Sequence, residues 1–146
     1  MKYRHSFTTQ APLDVVREFH TLSSSLTAIT PPPIIVQIIQ APECLTEGDE
    51  MEFTMWILGL PLRWRARIEN VSAQGFIDRQ IQGPFDAWVH NHTFINIDEK
   101  STEVRDELQI NLSKNVFWGL VGAGMCLSLP ILFAYRGWKT QRLLHQ

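Results

Sequence analysis

The chain has 146 residues, 45% of them hydrophobic and 19% charged, with a formal net charge of -2. That balance excludes a disordered chain. The length suits one domain spanning residues 1–146, able to bury roughly two-thirds of its unfolded surface without staples. It offers no basic surface for a phosphate backbone, so nucleic acid is not an expected partner.

The two cysteines, Cys44 and Cys126, are far apart and form no CxxC. They make neither a disulfide framework nor a zinc knuckle, and read as small buried or half-buried thiols. The opening MKYRHSFTT has no apolar signal-peptide core, so a reducing cytoplasm is the expected compartment.

In chain order, Tyr3, His5 and Phe7 alternate with Arg4 and Ser6, which predicts a half-buried strand over residues 2–9. Pro12 and Asp14 then open a helix with Val15, Val16, Phe19 and Leu22 on one face. A second short helix in SSSLTAIT is stopped by prolines 31–33. The β-branched run 34–41 reads as a strand, and PECLTEGDE as a loop.

Two alternating runs follow. Met51, Phe53, Met55 and Ile57 face one way in the first, and Leu62, Trp64, Ala66 and Ile68 in the second. A type II′ turn at Gly59-Leu60 would pair Ile57 with Leu62, Met55 with Trp64 and Phe53 with Ala66. Arg63, Arg65 and Arg67 then lie on the opposite, solvated face.

FIDRQIQ is a further strand, and GPFDAWVHNHTF follows, with Trp88, His90, His92 and Phe94 on alternate residues. In TEVRDELQINL, Thr102, Val104, Asp106, Leu108, Ile110 and Leu112 share a face, which places a carboxylate among apolar side chains. A connection over residues 97–101 sets Asn96 opposite Thr102, Phe94 opposite Val104, His92 opposite Asp106 and His90 opposite Leu108. A loop over residues 83–85 pairs Gln82 with Asp86 and sets Asp78 opposite His90 and Phe76 opposite His92. A two-residue turn at Gly83-Pro84 would instead turn Ile77, Arg79 and Ile81 inward.

The last third reads as a Gly-rich loop and then a helix, LPILFAYRGWKTQRLL, with Leu129, Leu132, Phe133, Arg136, Thr140 and Leu143 at helical spacing. The uncharged run from Val116 to Tyr135 is 20 residues long, enough to cross a bilayer, and Arg136, Lys139 and Arg142 follow it. A membrane-anchored protein is therefore one alternative, and a buried helix after a loop is the other. Strand, two helices, about six strands and a long helix make an α+β order, with an antiparallel sheet curved around the terminal helix and a cavity between them.

The ordered set Ala11-Pro12, LTAITPPP, LTEGDE, GLPLRWRARI, FIDRQIQGPFDAWVHNHTF with Thr102 and Asp106, and FAYR resembles the START-like, or SRPBCC, superfamily. Its polyketide cyclase/dehydrase-like ligand-binding branch is the nearest in pattern. The resemblance implies a helix-grip fold: a curved sheet of six to seven strands wrapped on a long C-terminal helix, with two short helices after the first strand. It also implies a cavity for a hydrophobic small molecule or lipid. It carries over no catalytic set and no cofactor.

Candidate ligand-binding residues are Phe53, Met55, Trp64, Phe76, Asp78, Gln80, Trp88, His90, His92, Phe94, Asp106, Leu108, Leu129, Leu132 and Phe133. His90, His92 and Asp106 admit four readings. They could form a satisfied buried network or meet the polar end of an apolar ligand. They could supply a general base of cyclase or dehydratase type. A metal held by His90, His92 and a carboxylate is the fourth, although a closed site wants more ligands, and no metal is expected. Transient membrane contact is compatible with the terminal run, and oligomeric state is left open.

Overall fold

The computed structural model describes residues 1–145. β1 (Lys2–Thr9) leads into α1 (Leu13–Thr21) and the single-turn α2 (Ser25–Ala28). Six strands follow: β2 (Ile35–Gln40), β3 (Glu50–Ile57), β4 (Leu60–Ser72), β5 (Gly75–Gln82), β6 (Ala87–Asp98) and β7 (Ser101–Asn111). α3 (Val116–Leu144) closes the chain. The seven strands form one antiparallel sheet in the order β1-β7-β6-β5-β4-β3-β2, so the first strand pairs with the last and the rest form a meander.

Period-two burial decides the inner face. Val104, Leu108 and Ile110 on β7 and Leu62, Trp64, Ala66 and Ile68 on β4 are buried, while the arginines of β4 lie outside. There Arg65 and Arg67 pair with Glu50 and Glu52 across the hairpin, as expected of a solvated face. Cys44 is exposed rather than packed away.

The β3–β4 register differs from the sequence expectation by two residues. Met55 faces Leu62, Phe53 faces Trp64 and Met51 faces Ala66. The turn residues are Leu58 and Gly59, at φ 50° and 84°. Positive φ at both central positions suits a type I′ turn, so the hairpin closes one residue earlier than a type II′ turn at Gly59-Leu60 would. A slip of two keeps every side chain on its expected face.

The β6–β7 register is the expected one, with His92 opposite Asp106 and His90 opposite Leu108. A bulge after Asn96 lets Asp98 pair with Ser101, tightening the connection, and Asp98 accepts from the Lys100 N–H and the Ser101 hydroxyl, each at 2.8 Å. On the other side of β6, Phe76 faces His92 and Asp78 faces His90, again as expected. Pairing there ends at Arg79 and Val89, short of Gln82 and Asp86.

The Gly-rich stretch before Leu129 is helix rather than loop. α3 starts at Val116, where the Asn115 side chain accepts from the Trp118 N–H at 3.1 Å. Pro130 therefore sits inside the helix and not in its first turn. Glycines place the helix close to its neighbours: a Cβ at Gly122 would lie 2.9 Å from the Phe85 ring, and one at Gly137 3.2 Å from Phe7. Leu129, Phe133 and Thr140 are the other buried residues of α3, while Leu120, Leu127 and Ile131 point outward and are largely exposed.

Candidate functional site

Between the sheet's concave face, α2 and α3 lies a cavity of about 140 Å³. Phe53, Met55, Trp64, Ala66 and Ile68 form its apolar sheet wall, and Leu129 and Leu132 its helix wall. Trp64 meets Trp88 edge to face with ring centroids 5.2 Å apart, a favoured aromatic geometry. One end is polar: Asp78 of β5, His90 and His92 of β6, His20 of α1 and Arg136 of α3 all reach the cavity.

Five candidate residues lie elsewhere. Gln80 holds the loop after β5, donating to the Phe85 carbonyl at 2.8 Å and accepting from the Phe85 N–H at 3.3 Å. Phe94 is buried against His20, with centroids 4.9 Å apart. Phe133 packs on Tyr3, His5 and His90. Leu108 is buried in the sheet, and Asp106 stands behind the histidine rings. Phe53, Met55, Trp64, Phe76, Asp78, Trp88, His90, His92, Leu129 and Leu132 are on the cavity wall.

Asp106 organises the polar end. His90 Nε2 donates to Asp106 Oδ1 at 2.7 Å, and His92 Nδ1 lies 3.2 Å from the same oxygen without hydrogen-bond alignment. A carboxylate only accepts, so Nε2 of His90 carries a hydrogen, and its Nδ1 makes no hydrogen bond to the protein. Burial alone would raise the Asp106 carboxyl, but the His90 hydrogen bond and the two imidazoles held against its oxygen outweigh it and hold it well below the usual range. His92 lies between His90 and Phe76, at centroid distances of 3.8 Å and 4.5 Å. Burial and then His90 push its imidazole below the ordinary value, against the pull of Asp106.

His20 and Arg136 are the members that sequence reasoning missed. His20 lies one turn beyond buried Val16 and donates from Nδ1 to the Val16 carbonyl at 2.8 Å. Burial, followed by His92, lowers its pKa to about 4, so it is neutral with Nε2 free. Arg136 shares a helix face with Leu132 and Phe133, a spacing visible in the sequence, but its charge argues for solvent. Its Nε is buried without a hydrogen-bond partner, and its guanidinium carbon lies 5.5 Å from the Phe133 ring centre.

Asp78 faces this cation, and burial raises its carboxyl above the ordinary value despite His92 and Arg136. One ligand atom each from Asp78, His90 and His92 falls within 4.8 Å of the others, a set with which two imidazoles and a carboxylate could hold a metal ion. The half-buried Arg136 cation acts on the same carboxylate and competes with an ion there.

No family model matches the chain, and no curated protein does. Solved structures do. A protein from Chromobacterium violaceum is 9% identical, with 100% of this chain and 99% of that one covered at a TM-score of 0.76. The Zhui aromatase/cyclase from Streptomyces sp. R1128 is 18% identical, with 98% and 95% covered at 0.66. A START superfamily protein from Mycobacterium smegmatis is 10% identical, with 97% and 98% covered at 0.66. With its seven-stranded sheet gripping one long helix, the chain has the helix-grip fold, which it shares with the START superfamily protein and the aromatase/cyclase.

Proposed function

We propose that this protein binds a hydrophobic small molecule, lipid-like or aromatic, between its sheet and α3. The observation that carries this is an apolar cavity whose one polar end gathers His20, Asp78, His90, His92 and Arg136. Ligand sites are mostly apolar, with a few convergent polar groups that fix orientation. The START-type and aromatase/cyclase neighbours support the same reading.

Native mass spectrometry of the gently purified protein tests it. The expected spectrum carries a small organic adduct that solvent extraction removes. Ala66→Leu, which adds bulk to a buried cavity wall, should lower the occupancy while circular dichroism stays native. An absent adduct, together with no uptake of any apolar probe, would sink the proposal.

The His90–Asp106 pair favours a second reading, a cyclase- or dehydratase-type enzyme. A carboxylate-oriented imidazole on the wall of a largely apolar cavity has the parts of a general base. The two readings share the site and differ only in whether the bound molecule is turned over.

A further inference from the structure

The geometry points to a carboxylic acid as the chemical class of ligand, and we propose that Arg136 binds its carboxyl group at the inner end of the cavity. This rests on the binding reading above.

Arg136 is half-buried, with its Nε fully enclosed, so its guanidinium has lost part of its hydration. Removing a cation from water is unfavourable unless it is paired and hydrogen-bonded. Arg136 makes no ion pair among the described residues, and its buried Nε has no partner. The groups around it come from five elements. α1 contributes His20, β5 contributes Asp78, β6 contributes His90 and His92, and β1 contributes Tyr3 and His5, which pack on the Phe133 ring beneath the guanidinium. β7 contributes Asp106, which is already engaged by the two histidines. Asp78 is the other acid, and it makes no hydrogen bond or ion pair with the guanidinium. A planar fork of N–H donors is thus left at the polar end of an apolar hollow, and that fork matches a carboxyl group bidentately.

The neighbouring imidazoles fit the same group. His20 and His90 each spend one nitrogen on a protein acceptor, Val16 O and Asp106 Oδ1, and keep the other free. A carboxylic acid is ionised in water near neutrality and offers two acceptor oxygens to the Arg136 fork; an unbonded imidazole nitrogen beside it donates once it takes a proton from solvent, which the ligand's negative charge favours. An amide of the same shape has no acidic proton and turns one N–H₂ toward the guanidinium, so it forfeits the bidentate contact.

The test uses the full chain and the series of ω-phenylalkanoic acids from phenylacetic to 6-phenylhexanoic acid, each with its matching primary amide. Titrations are followed by calorimetry and by the ring resonances of His20, His90 and His92. The expected result is that at least one acid binds ten-fold or more tightly than its amide and shifts those resonances. Arg136→Met should abolish the preference, and Arg136→Lys, which keeps the charge but not the fork, should retain only part of it. The acid–amide comparison in the unmodified protein stands even if neither variant folds. Equal binding of acids and amides would overturn the carboxyl assignment and leave the hydrophobic pocket intact. Binding of neither, with no apolar probe taken up, would overturn the pocket reading as well.

Discussion

At the scale of single residues, His20 is the side chain whose ionisation most directly links the site to stability. Its folded pKa is lowered from 6.5 to about 4, with burial the largest cause. The unfolded chain therefore takes up a proton between those values while the folded chain resists it, so stability rises with pH across that window and falls as pH drops from about 6.5 toward 4. A shift of this size corresponds to on the order of 3 kcal/mol. His20→Gln removes the titration. Urea midpoints measured between pH 7 and pH 4.5 should fall less steeply for the variant than for the parent, and equal slopes would contradict the assignment. The lowered His92 contributes in the same direction, so some slope remains. Asp106 acts lower still: its depressed carboxyl contributes stability above its ordinary value near 3.8, lost as pH falls below it.

Among the elements, the β3–β4 hairpin shows where local chemistry and sequence disagree. Leu58 holds φ 50° while 84% exposed, so an apolar side chain stands in water on a backbone that strains it. Asn tolerates that conformation far better and precedes Gly in the strongest hairpin signal. Leu58→Asn should raise stability by about 1 kcal/mol, read as a higher denaturation midpoint with an unchanged denaturant slope. This hairpin also shows how far the sequence could be read. Strict alternation assigned the buried face of β3, β4, β6 and β7, because a two-residue slip changes partners but not faces. The turn type depends on backbone angles that Leu-Gly-Leu does not announce. α3 was half legible: its buried face followed from the spacing of Leu129, Phe133 and Thr140. Glycines and Pro130 disguised its first half as loop, although a tight helix–sheet approach needs small residues at 122 and 137. Within the site, neighbouring strands bring Asp78, His90, His92 and Asp106 together, and cross-strand register predicts such contacts. His20 and Arg136 arrive from helices packed over the sheet, and no register argument reaches across that gap.

For the whole molecule, the outer face of α3 is the largest departure from an ordinary protein surface. Val116, Leu120, Leu127 and Ile131 are each more than 70% exposed, and only 17% of the most apolar window of the helix is buried. No acidic residue lies between Val116 and Leu144, while Lys114, Lys139 and Arg142 flank the apolar stretch. Such a face suits an anionic bilayer surface, with the apolar side chains in the headgroup boundary and the cations toward phosphate. Leu129, Phe133 and Thr140 remain packed on the protein, so contact with the surface keeps the fold that a full span would strip away. The full chain should co-float with vesicles containing anionic phospholipid, and Leu127→Glu with Ile131→Glu should reduce the bound fraction several-fold. Absence of flotation, or a double variant that floats equally well, would refute the contact.

One helix thus presents two faces, one to the hollow and one to the outside. Ile131 and Leu132 are neighbours in sequence and lie about 100° apart around the axis, the first turned to the outside and the second to the hollow. A roll of α3 that tucked Ile131 into any outside surface would swing Leu132 and Arg136 together relative to the sheet. Occupancy of the hollow and contact on the outer face would therefore be coupled through one helix.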